Sequence, residues 1–190
     1  MPQRSMPSEI SDTRSNASSD AALMERVAGG DAQAFRMLVE RYLPRAHAVA
    51  RRMLGSAAEA EDAVQEAFCR IWTHAAAFRA ERAAFFTWAY RIIANACLDA
   101  MRRRTPAAEP VDDMAENLAD PAPDAQSRHE SLQVRQAVQA LPPRQRLAVV
   151  LCYFEGMTNP EAAAAMDMNV KALEGLLVRA RRSLRNRLDG

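Results

Sequence analysis

The sequence predicts an all-α protein made of two small helical domains joined by an acidic, proline-rich linker. Three observations carry this. Apolar side chains recur three and four residues apart through residues 20–104 and again through 128–188. The stretch between them, TPAAEPVDDMAENLADPAPDAQ, has four prolines, many acids and hardly any large apolar side chains, the composition of a linker. The second helical piece then reads as a short alanine-packed helix, a tight turn and a long arginine-rich helix.

The bulk numbers set bounds. A chain of 190 residues suits one or two small domains, and 49% hydrophobic content is enough for a core. No apolar run approaches the roughly 20 residues of a membrane span. The opening MPQRSMPSEISDTRSNASSD lacks the apolar segment of a signal peptide, so a cytoplasmic protein without membrane insertion is expected. Cys69, Cys97 and Cys152 sit far apart in apolar helical patterns and are expected to be buried small hydrophobes. Net charge is only +1, but it is unevenly placed. Arg102 to Arg104 is basic, Arg179 to Arg187 holds five arginines in nine residues, and Glu109 to Asp124 holds six acids and no base. Basic faces on separate folded pieces, with an acidic spacer between them, point to nucleic acid.

Residues 1–19 are polar and expected to be a disordered tail. Asp20 can cap a first helix ending at Gly29-Gly30. Asp31 caps a second, whose Phe35, Leu38, Val39 and Tyr42 form one stripe, with a kink or break expected at Pro44. Ser56 and Glu59 form a capping box for a third helix, with Val64, Phe68, Ile71 and Trp72 on its apolar face. The opposite face, with Glu61, Asp62, Gln65, Glu66 and Arg70, is either a solvated surface or a docking surface for a partner. A loop around Phe78 to Arg82 precedes a long helix from Phe85 to Arg104. It has two apolar stripes, which are either core or aromatics held for unstacked bases. Arg91, Asn95, Asp99, Arg102 and Arg103 lie on or near its polar side.

In the second piece, residues 128–140 form a helix carrying Leu132, Val134, Ala137 and Val138, and another runs from Arg144 to Phe154. Thr158-Asn-Pro-Glu161 is a second capping box, with proline in the first turn where its missing amide does no harm. Asp167-Met168-Asn169 is the turn into a helix from Val170 to about Leu188, with Leu173, Leu176 or Leu177, Ala180 and Leu184 inward. This is a helix-turn-helix, whose second helix enters the major groove; a plain helical hairpin is the alternative.

In order, AEDAVQEAFCRIW, FFTWAYRIIANACLDAMRRR, LPPRQRLAVVLCYFEGMTNPEAAAAM and VRARRSLRNRL resemble the segments of extracytoplasmic function (ECF) sigma factors, in their sigma-E-like branch. The resemblance implies a polymerase-binding domain at 20–104 that recognises the minus-ten element. It also implies a linker over 105–127 and a minus-thirty-five-reading domain at 128–190. Core RNA polymerase and promoter DNA are then the partners, together with an anti-sigma factor that holds the protein inactive in a stress response. Asp62, Gln65, Glu66 and Arg70 fall on the polymerase-docking positions. Phe78, Arg79, Ala80, Glu81 and Arg82 fall on the loop that receives a flipped minus-ten base, and Trp88 falls on the minus-ten side of the DNA-binding surface. Arg91, Asn95, Asp99, Arg102 and Arg103 fall on the helix that guides the adjoining duplex. Thr158, Asn169, Lys171, Glu174, Gly175, Val178, Arg179 and Arg182 fall on the helix-turn-helix contacts. Where the family has a Thr-Val-Lys-Ser-Arg run, this chain has Ala172-Leu173-Glu174-Gly175-Leu176, which puts a carboxylate and a leucine in place of two cations at positions that often meet DNA; a glutamate there can still accept from cytosine's amino group.

Two other classes fit less of the chain. A stand-alone helix-turn-helix regulator accounts for 130–188 and leaves the first domain idle. An enzyme is not expected: His47, His74 and His129 are isolated, and the sequence has no glycine-rich phosphate loop and no catalytic or metal-ligand spacing. No cofactor is expected.

Overall fold

The computed structural model describes residues 12–81, 83–104 and 125–188, which form eight α-helices. α1 spans Asp12–Ala28, so it begins eight residues before the expected cap at Asp20. Asp20 is not a cap. Its carboxylate is buried and accepts from Arg41 and from the Tyr42 hydroxyl, 21 and 22 residues further on. A carboxylate pointing inward in mid-helix needs such donors, and here they tie α1 to α2.

α2 spans Ala32–Leu54 and is capped by Asp31, which accepts from the amides of Gln33 (2.9 Å) and Ala34 (3.1 Å). The Ala34 amide first, and Arg26 beside it, hold the Asp31 carboxyl below its usual range. The expected break at Pro44 does not occur, and α2 runs through it. Leu43 and Pro44 lie on the exposed face, where water can serve the Glu40 carbonyl that loses its partner. Gly55 ends the helix at φ +80°, a left-handed conformation that suits glycine.

α3 spans Ala57–Thr73. Ser56 Oγ accepts from the Glu59 amide at 3.4 Å, but the capping box is only half made. Glu59 turns instead to Arg104, which donates through Nε at 2.9 Å and also donates to the Leu54 carbonyl at 2.6 Å. A short tight turn at Ala75–Ala77 and a loop lead into α4, Phe85–Arg103. Both apolar stripes of α4 are covered. Phe85, Tyr90, Ile93 and Cys97 are buried, and Phe86, Trp88 and Ile92 pack against the core. Burial pushes the Cys97 thiol up to about 12. Cys69, expected to be buried, is exposed because it falls on the outer face of α3.

α5 spans Ala125–Gln139, starting three residues before the expected 128; residues 105–124 of the linker lie outside the described residues. Leu132 and Val134 are exposed, while Ala137 and Val138 are buried, so α5 is covered only toward its C-terminal end. α6, Pro143–Val149, continues directly into a wider turn at Val150–Phe154, where the Glu155 amide reaches back five residues to the Val150 carbonyl (3.0 Å). α7, Asn159–Ala165, has its capping box in full: Glu161 N to Thr158 Oγ1 at 3.4 Å and Thr158 N to Glu161 Oε2 at 2.9 Å. α8, Val170–Leu188, buries Leu173, Leu176, Leu177 and Ala180, with Leu184 partly covered.

The two helical groups are packed together, α2 and α4 of the first against α5, α6 and α7 of the second. Arg146 is buried in this junction. It donates across to the Met53 carbonyl near the end of α2 and to the Gln139 and Leu141 carbonyls at the end of α5. Arg104 and Arg146 therefore both serve the last carbonyls of α2, where a cation complements the helix dipole.

Candidate nucleic-acid interface

The outer face of α3 presents Glu61, Asp62 and Gln65 to solvent. Its apolar side faces α2, and α4 packs on it as well. Glu66 and Arg70, expected on the same docking face, are half-buried and engaged within the molecule. Glu66 pairs with Arg103 at 3.2 Å and with Arg70, and these partners, Arg103 first, hold its carboxyl below the ordinary range. Arg70 also approaches Asp99 at 3.5 Å, and Asp99 approaches Arg102 at 3.4 Å. Residues that the resemblance divides between polymerase and DNA thus form one ion network joining α3 to the end of α4. Arg102 and Arg103 remain largely exposed at its rim.

In the loop before α4, Phe78 is half-buried, with its ring 6.0 Å from Phe85 and 5.4 Å from Trp88. Arg79 donates to the Ala76 and Phe78 carbonyls at 2.6 and 2.9 Å, which fixes the loop locally. Ala80 and Glu81 are exposed, and Arg82 lies outside the described residues. Phe78 and Trp88 therefore form an aromatic wall beneath an exposed loop tip. On α4, Arg91 and Asn95 are exposed. Arg91 is held at 2.9 Å by Asp167 of the turn between α7 and α8.

The helix-turn-helix is built as expected. Asp167 takes φ +53°, and Asn169 Oδ1 accepts from the Ala172 amide at 2.8 Å, capping α8. Thr158 and Asn169 thus have capping tasks besides their expected DNA contacts. Lys171, Glu174, Val178, Arg179 and Arg182 are all exposed along α8, with Val178 at 60%. Gly175 lies under Arg179, whose guanidinium comes within 3.5 Å of where a Cβ would sit.

Sequence reasoning missed Arg45, Phe86 and Tyr90 as a group. Arg45 lies over the Phe86 ring at 4.8 Å, and Phe86 and Tyr90 are 4.3 Å apart. Spacing alone joins Phe86 to Tyr90, four apart on one helix; only the packing of α2 on α4 adds Arg45.

A four-helix unit with an acidic outer face and an arginine-edged aromatic helix, packed on a helix-turn-helix, defines a bipartite DNA-binding protein. The family profiles Sigma-70 region 2, over residues 38–106, and Sigma-70, region 4, over residues 131–184, both match. The ECF RNA polymerase sigma-E factor of Escherichia coli (strain K12) is 32% identical over 182 residues, covering 90% of this chain and 94% of that protein. The sigma-E factor of Haemophilus influenzae is also 32% identical, covering 90% and 95%. Among solved structures, CnrH in complex with the cytosolic domain of CnrY has a TM-score of 0.68 at 29% identity, covering 90% of this chain and 97% of that one. The sigma factor RpoE of Bartonella quintana, in complex with the anti-sigma factor NepR, shares the fold, with a TM-score of 0.63 at 22% identity, covering 82% and 96%.

The chain belongs to the ECF sigma factors of the sigma-70 family. Members of this family are non-enzymatic transcription initiation factors that bind core RNA polymerase and promoter DNA, so the stand-alone regulator is set aside. Among the described residues no helix is long and apolar enough to cross a membrane.

Proposed function

We propose that this sigma factor docks on core polymerase through the exposed Asp62 and Gln65 of α3, with Glu66 and Arg70 orienting that face from behind. In this reading residues 20–104 engage polymerase and the minus-ten element. The loop from Phe78 to Arg82, backed by Trp88, receives the flipped base, and Arg91, Asn95, Arg102 and Arg103 follow the adjoining duplex. Residues 128–190 read the minus-thirty-five element, with Lys171, Glu174, Val178, Arg179 and Arg182 on the groove side of α8. Sigma itself makes and breaks no bond. Melting draws on stacking and on pockets for splayed bases.

The observation that carries the partner side is an apolar groove between the two helical groups. Phe35, Val39, Phe68 and Trp72 line it from α2 and α3, Val134 from α5, and Gln65 stands at its edge. A contiguous apolar groove of this kind marks a protein-binding site and suits an amphipathic helix. An anti-sigma factor seated there would grip both halves at once and cover part of the polymerase-docking face. Action in the cytoplasm, where polymerase works, and release under stress complete the reading.

Transcription in vitro tests it: the purified protein with bacterial core polymerase on a pooled genomic promoter library, with start sites sequenced. Defined starts sharing two spaced upstream motifs are expected. Absence of starts together with no complex on gel filtration would overturn the assignment. For the groove, a pull-down from unstressed cells should recover a tight partner that Trp72→Glu releases.

A further inference from the structure

The junction between the two halves is lined with opposite charges of a specific kind. Two carboxylates of the second half, Glu155 and Asp167, meet two arginines of the first, Arg45 and Arg91. The Glu155 side chain is only 5% exposed. Its Oε2 accepts from Arg45 Nε at 3.1 Å and from the Tyr90 hydroxyl at 2.9 Å, and its backbone carbonyl accepts from Arg45 Nη2 at 3.1 Å. Asp167 holds Arg91 at 2.9 Å, and the adjoining gap is lined by Asn95, Arg102 and Arg144.

Arg91 is on the face of α4 assigned above to promoter DNA. A planar guanidinium accepts a carboxylate or a phosphate with the same fork geometry. Arg45 faces its acid beside a tyrosine hydroxyl and the close, tilted ring pair of Phe86 and Tyr90, a setting that suits a nucleic acid backbone passing an unstacked base.

We propose that Arg45 and Tyr90 form a further phosphate-binding site for promoter DNA, continuous with Arg91, and that Glu155 and Asp167 fill the two arginine positions in the closed chain in place of phosphates. The inference rests on the assignment of the α4 face to DNA. Closed and DNA-bound chains are then mutually exclusive, and the free protein shields itself from nonspecific DNA until polymerase separates the halves.

The test uses the full chain and a fluorescent duplex with a single-stranded overhang, with binding followed by anisotropy over a range of salt. Small-angle scattering reports opening. Glu155→Gln with Asp167→Asn should expand the chain and tighten binding by about tenfold if the open form is about a tenth of the population. DNA binds the open form in either protein, so the double variant contacts the same phosphates, and its salt slope is the reference for the next variant. Arg45→Ala in that background should lower the slope by about 0.9, the share of one phosphate contact, and Arg45→Lys should restore the slope with a weaker affinity. Circular dichroism confirms that each variant is folded. Opening without a change in affinity overturns the proposal, as does a double variant that neither opens nor binds more tightly, or an Arg45→Ala variant that leaves the slope unchanged. Arg91→Ala separates the two levels. If it weakens binding and Arg45→Ala does not, the new site alone is wrong. If both are silent, the α4 assignment falls with it.

Discussion

The Tyr90 hydroxyl donates to the Glu155 carboxylate at 2.9 Å, across 65 residues of sequence and from one half of the protein to the other. Tyr90 is fully buried at this point. Desolvation first, and the nearby Glu155 charge second, push its phenol well above the ordinary tyrosine range. Tyr42, buried against Asp20, is raised by desolvation first and by its hydrogen bond to Asp20 second.

Both phenols should therefore stay protonated in the folded chain above pH 10, where the unfolded chain releases those protons. The folded form then binds more protons, so stability is full below pH 10 and falls as pH rises through the raised range. The slope is about 1.4 kcal/mol per pH unit for each retained proton. Tyrosinate absorbance in native and denatured protein, with urea midpoints from pH 9 to 11, measures it. Full native ionisation of all three tyrosines near pH 10 would contradict the burial argument.

Asp20→Ala should destabilise the first half by about 1–3 kcal/mol, since it strands the buried Tyr42 hydroxyl and removes one partner of Arg41. Chemical denaturation gives the number. Under 0.5 kcal/mol would mean that water replaces the carboxylate.

Asp62→Arg with Gln65→Ala should weaken binding to core polymerase while the melting temperature stays within a degree or two, because both side chains are exposed and off the core. Unchanged affinity for core enzyme would move the docking face elsewhere.

On α8 the structure makes a prediction of opposite signs. Gly175→Ala should stabilise the helix by about 0.5–1 kcal/mol, because the nearest atoms to the added methyl are the mobile head of Arg179 at ordinary contact distance. Arg179→Ala should cost about 1–3 kcal/mol at one position of the upstream element if it pairs with guanine. Competition binding over single-base variants separates this from a uniform loss, which would recast Arg179 as a phosphate contact.

The helices and most of their faces could be read from the chain. Period and caps are local, so Asp31 before α2, Thr158 with Glu161 before α7, and Leu173 to Ala180 inside α8 were all legible. The elements misread were those where a distant partner outbids the local rule. Asp20 looks like a cap until Arg41 and Tyr42 claim it, and Glu59 leaves its capping box for Arg104. Leu132 and Val134 look like core but lie past the edge of what covers α5. The candidate site divides the same way. The exposed row of α8 follows from helical spacing, whereas the network joining Glu66, Arg70, Asp99 and Arg103 needed α3 laid against α4. The closing of the two halves on each other through Arg45, Tyr90 and Glu155 came from packing alone. Such contacts join residues 65 and 110 positions apart, and their strength comes from shared burial, which no local window of sequence contains.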